Sequence, residues 1–105
     1  MPTAFGVATL HDAFAFETLA VTTSGIRPTT ATWTNTTVPK IAQYALFTVE
    51  GTQIRWRVDG TAPSTSVGHL NTSGDVIEIR GSNNIAHVQF VATSSSGNIQ
   101  VTYAM

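Results

Sequence analysis

The sequence contains no cysteine, which excludes disulfides and thiolate metal sites. Charge is scarce as well: Asp, Glu, Lys and Arg make up 10% of the 105 residues, against roughly 25% in an average globular chain. Five basic and six acidic residues leave a formal net charge of −1. Binding to nucleic acid through phosphates calls for a basic excess, so no nucleic-acid partner is expected. No apolar run approaches the roughly 20 residues of a membrane helix, and no membrane partner is expected either. The opening Met1-Pro2-Thr3-Ala4-Phe5 lacks the basic and apolar regions of a signal peptide, so export by that route is not expected. A surface rich in Thr and Ser but poor in charge suits coverage by a partner, because charge is depleted at interface cores.

What is present is alternation. In Gln53-Ile54-Arg55-Trp56-Arg57-Val58, the residues Ile54, Trp56 and Val58 fall on one face and Gln53, Arg55 and Arg57 on the other. Asp75-Val76-Ile77-Glu78-Ile79-Arg80 repeats the pattern with Ile77 and Ile79 inward. Ala86, Val88, Phe90 and Ala92 form a third such set, and Ile99, Val101 and Tyr103 a fourth. Tyr44 to Val49 is apolar on both faces and reads as a central strand. Turn residues divide these runs at Gly51, Asp59-Gly60, Ser73-Gly74, Gly81 to Asn84 and Ser95 to Asn98. Short strands at this spacing predict one all-β domain over residues 1–105. The expected architecture is a single antiparallel β-sandwich or a jelly-roll-like barrel of about seven to nine strands.

The first 40 residues are less patterned. Phe5 to His11 fits a strand, and Asp12 to Ala20 fits a turn of helix followed by strand. Thr29 to Thr37 is dominated by β-branched Thr and reads as extended. Residues 22–38 hold one charged side chain, Arg27, and one large aromatic, Trp33. Two courses fit this stretch: an extended arm adding to a neighbouring chain, or an edge strand of its own domain.

The side chains offer little chemistry. The Gly-x-Ser-x-Gly elbow of a hydrolase is absent, and the serines lie in turn-like settings, so no catalytic residue is expected. His11, His69 and His87, with Asp12 or Asp75, lack the close paired spacing of histidine metal motifs, so neither metal nor cofactor is expected. Asn35-Thr36-Thr37 and Asn71-Thr72-Ser73 match a glycosylation sequon of a kind that a Thr-rich chain produces by chance. Arg55-Trp56-Arg57 imitates a nucleic-acid stacking platform, but strand period turns Trp56 away from the face carrying both arginines. The interface candidates are therefore Arg27, Arg55 and Arg57, with Trp33 as a partly exposed apolar anchor.

The run Ile54-Arg55-Trp56-Arg57-Val58-Asp59-Gly60-Thr61-Ala62-Pro63-Ser64, followed by Val67-Gly68-His69, resembles a family of short proteins from tailed bacteriophages. Gly74-Asp75-Val76-Ile77-Glu78-Ile79 and Ile85 to Phe90 continue the likeness, which covers residues 41–105. The resemblance implies a non-enzymatic virion structural protein, made in the host cytoplasm and located on the particle, most naturally the head. A capsid decoration (cement) protein would hold neighbouring subunits of the major capsid protein through repeated burial. A homotrimer is the oligomer that suits local three-fold points of a shell. A neck, tail or fibre component is the alternative of the same kind. A carbohydrate-binding module using Trp33 or Tyr44 as a sugar platform is the alternative from another class.

Overall fold

Eleven short elements follow one another along the chain in a computed structural model that describes residues 12–35 and 40–105. They are β1 (Ala13–Val21), α1 (Thr30–Trp33), β2 (Thr34–Asn35), β3 (Lys40–Ile41), β4 (Tyr44–Glu50), β5 (Ile54–Arg57), β6 (His69–Asn71), β7 (Val76–Arg80), α2 (Ser82–His87), β8 (Gln89–Ala92) and β9 (Gly97–Ala104). The expectations for Phe5 to His11, and for residues 36–38 of the possible arm, lie outside the described residues.

The strands form two antiparallel sheets packed as a sandwich. One has four strands in the order β1-β9-β4-β7, the other three in the order β6-β5-β8, and β2 and β3 make a separate two-stranded ribbon. Of the two expected architectures the chain takes the sandwich: among the described residues no ladder joins one sheet to the other.

Alternation along each strand decides what enters the space between the sheets. From the four-stranded sheet come Ala45, Phe47 and Val49 of β4 and Ile99, Val101 and Tyr103 of β9, all at 0% exposure. Ile54, Phe90 and Ala92 meet them from the three-stranded sheet. The rings of Phe47 and Phe90 lie 5.1 Å apart, so one aromatic contact spans the two layers. β4 is central, as its apolar character on both faces predicts, and Tyr44 on its outer side lies buried beneath the guanidinium of Arg80.

Several local expectations require correction. Residues 13–21 are strand throughout, with no helical turn, and a bulge at Phe14 shifts the register against β9. Pairing along β9 outweighs the helix propensity of Ala, Glu and Leu, which is a weak local preference. The strand expected from Ala86 begins only at Gln89, because Ser82–His87 is helix. Ile85 and Val88, both buried, are three residues apart and pack inward from this turn, a spacing that alternation does not detect. Thr30–Trp33 is helical where extended chain was expected. Trp33 is 8% exposed and belongs to the core, so the partly exposed anchor is not there. Trp56 and Val58 point inward as expected but are only half-buried, because an open groove of about 390 Å³ runs between them and Ile79, Arg80 and Asn84.

The described part of the 22–38 stretch bonds to its own domain. Ile26 and Phe90 exchange both backbone hydrogen bonds, at 3.0 and 2.9 Å, and the Ala92 N–H donates to the Thr22 carbonyl. The segment thus lies beside β8 as an irregular further strand. Its far end is fastened by Glu17, whose Oε2 accepts from the Thr29 N–H and from the Tyr103 hydroxyl.

Candidate functional site

Residues 54–71 fold as the hairpin β5–β6, and polar side chains tie its long connection down. Asp59 accepts from the Thr61 N–H and holds Arg57 through two bonds, from Nε to Oδ1 and from Nη2 to Oδ2. The Arg57 guanidinium and the Thr61 N–H keep the Asp59 carboxyl below its usual range. Ser64 Oγ accepts from the N–H groups of Ser66 and Val67. Arg55 reaches back across the loop, donating from Nη1 to the Gly68 carbonyl at 2.9 Å and from Nε to the Thr65 carbonyl at 3.2 Å. Gly68 closes the loop at φ +133°, where a Cβ would lie 3.1 Å from both Pro63 Cβ and the Trp56 carbonyl. On the inner side Trp56 Nε1 donates to Asn71 Oδ1 at 2.7 Å, and Asn71 donates in turn to Asp75. The Thr72 N–H and the Asn71 amide lower the Asp75 carboxyl from its usual range.

The three arginine candidates share the outer face of the three-stranded sheet. β5 and β8 set Arg57 opposite Gln89 and Arg55 opposite Val91, and β6 sets Leu70 beside Arg55. The Ile26–Phe90 bridge extends the same register by one strand and brings Arg27 beside Gln89. Ile26 packs inward, so Arg27 takes the outward position next to it. Arg27 is exposed and, among the described residues, its side chain makes no hydrogen bond or ion pair. With strands about 4.8 Å apart, Arg27 and Arg57 stand about 10 Å from one another. Around Arg57 a groove of about 410 Å³ is lined by Val58, Asp59, Val67, Gly68 and His69.

The remaining candidates lie elsewhere. Trp33 is in the core and Tyr44 is covered by Arg80, so neither ring offers a sugar platform. His69 packs against Trp56 with ring centroids 4.7 Å apart and the rings tilted, and His87 Nδ1 bonds the Asn83 carbonyl; His11 is outside the described residues. No group of three or more His, Asp or Glu close enough to hold a metal occurs among the described residues. Sequence reasoning named Arg27, Arg55 and Arg57 but had no signal that they converge. The bridge that joins them pairs residues far apart in the chain. Asp59 and Gln89 also stand among the arginines, a grouping that turn chemistry and strand period do not reveal. A comparison with known proteins returned no family model, no curated protein and no solved structure that matches the chain.

Proposed function

We propose that the chain is a non-enzymatic binding module of a phage particle, a capsid decoration protein that holds by burying surface against the shell and against copies of itself. The observation that carries the reading is the gathering of Arg27, Arg55 and Arg57, with the exposed Leu70 and Val67, on one face of the three-stranded sheet. Arginine with apolar neighbours is the composition of protein interfaces. The phage-like pattern of residues 41–105 supports the particle as the setting. Burial of Trp33 and Tyr44 weighs against the carbohydrate-binding alternative. The test is proteomics of phage particles purified from the producing host, together with mass photometry of the isolated chain. The chain is expected on the head in many copies, and as an oligomer in solution. Its absence from particles refutes the reading, and its presence on tails alone moves it to the tail-component alternative.

A further inference from the structure

The outer face of the three-stranded sheet gathers three of the chain's five basic residues, and Asp59 is the one acid among them. We infer that this face docks an acidic protein surface, its guanidinium groups pairing with carboxylates. The inference rests on the binding-module reading above and adds the chemistry of the partner. Three arginines and one aspartate give the face a charge of +2, so the rest of the chain carries −3 of the overall −1.

The arginines are prepared for such a partner in different ways. Asp59 occupies Nε and Nη2 of Arg57, which fixes the plane of the guanidinium and leaves Nη1 without a bond among the described residues. Arg55 is held by the Thr65 and Gly68 carbonyls through Nε and Nη1, and its Nη2 is left over. Arg27 is exposed and uncommitted among the described residues. A guanidinium already fixed in position loses less side-chain freedom on binding a carboxylate. Leu70 and Val67, 46% and 53% exposed, flank the arginines and give a protein partner apolar surface to bury.

Two other occupants fit less well. A nucleic-acid backbone calls for several phosphates to be neutralised, whereas the rest of this molecule is acidic and repels it. A second copy offers the outer face of the four-stranded sheet, where Glu50 closes β4 and Glu78 lies two residues from Arg80 on β7. That face looks away from the arginines, so stacking copies in this way leaves one face open at each end and runs on as a filament.

The probe is a labelled oligoglutamate peptide, set against an oligothymidylate of matched charge, with binding followed by fluorescence anisotropy at low and at physiological salt. The peptide is expected to bind the more tightly. Arg27→Glu is expected to weaken it by about tenfold. Arg80→Glu, on the opposite sheet, is expected to leave it within about twofold. Melting curves of both variants check that they remain folded; Arg27 holds nothing else in place among the described residues. The inference is overturned by failure of the peptide to bind, by tighter binding of the oligothymidylate, by equal effects of the two variants, or by self-association that Arg27→Glu abolishes. Purified particles separate this inference from the reading beneath it. Attachment that survives Arg27→Glu defeats the arginine face and keeps the module. Peptide binding without any presence on particles keeps the face and defeats the phage reading.

Discussion

The two sheets treat their outer faces in opposite ways. The four-stranded sheet leaves much of its outer face open, with Phe16 at 60% and Val76 at 41% exposure, although Arg80 covers Tyr44 there. Its polar side chains satisfy each other across the strands: Thr18 donates to Gln100, and Gln100 donates to Glu50. The three-stranded sheet is built from strands of three and four residues and is held by what the chain adds to it. The 22–28 segment extends its edge, the 58–68 loop is bonded to Arg55 and Arg57, and Val91 is 2% exposed although it points outward. The difference shows two ways of stabilising a sheet. Long ladders and a shared core suffice for the first. The second depends on side-chain bonds to loops, and those same bonds place its arginines.

The largest expected effect is on the contact that both sheets share. Phe90→Ala removes a fully buried ring from the short sheet and its partner from Phe47, and is expected to cost about 3–5 kcal/mol by chemical denaturation. Trp56→Ala is expected to cost less, because that ring is only half-buried. If Trp56→Ala proves the more damaging, the hairpin and not the inter-layer core carries the short sheet.

Gly68→Ala tests the dependence of the short sheet on its loop. The added Cβ meets Pro63 and the Trp56 carbonyl at a φ of +133°, and about 1–3 kcal/mol of destabilisation is expected. Protection of β6 and β5 amides from hydrogen exchange is expected to fall first, with β4 and β9 unaffected. Uniform loss over both sheets contradicts the idea that the loop serves the short sheet alone.

The sheets are also expected to respond to opposite ends of the pH scale. Asp59, in the short sheet's hairpin connection, and Asp75, in the turn that leads from β6 to β7 and holds Asn71 and Thr72 of the short sheet's end, have lowered folded-state values. Their contribution is therefore present above the unfolded aspartate value of about 3.9 and is lost as pH falls through the folded values. Tyr103, in the long sheet, is raised by burial and by its bond to Glu17. Its contribution is complete below the unfolded tyrosine value of about 10 and is lost as pH rises beyond it. Melting temperatures across pH are expected to show Asp75→Asn flattening the acid limb and Tyr103→Phe flattening the alkaline limb. A variant that changes the other limb breaks the assignment.

The smallest effect belongs to the open face. Phe16→Thr is expected to change stability by no more than about 0.5 kcal/mol, since the ring is mostly in solvent. A larger loss in thermal denaturation means that the monomer already uses this face.

Strands from Tyr44 onward, the short β6 excepted, could be read from alternation, since burial of one face imposes a period of two on the residues themselves. Ile54, Ile77, Ile79, Phe90, Ile99, Val101 and Tyr103 all lie within 6% of full burial where the pattern placed them. The pattern ran three residues too far at Ala86, because Ile85 and Val88 satisfy a helical spacing that a strand template overlooks. Residues 12–35 were the hardest to read. A Thr-rich stretch has no strong period, so pairing with β8 and the bond to Glu17 decide its course. Trp33 went into the core for the same reason: a short helix that only tertiary contact selects turned it inward.

The sequence by itself determined the all-β class, the central position of the Tyr44–Glu50 strand and the inward set of the hairpin, because each is a local consequence of side-chain period and turn chemistry. Only the tertiary structure decided that Arg27 joins Arg55 and Arg57 on one face. That convergence comes from a single antiparallel bridge between Ile26 and Phe90, and a hydrogen-bonded contact between distant residues leaves no trace in the local pattern of either.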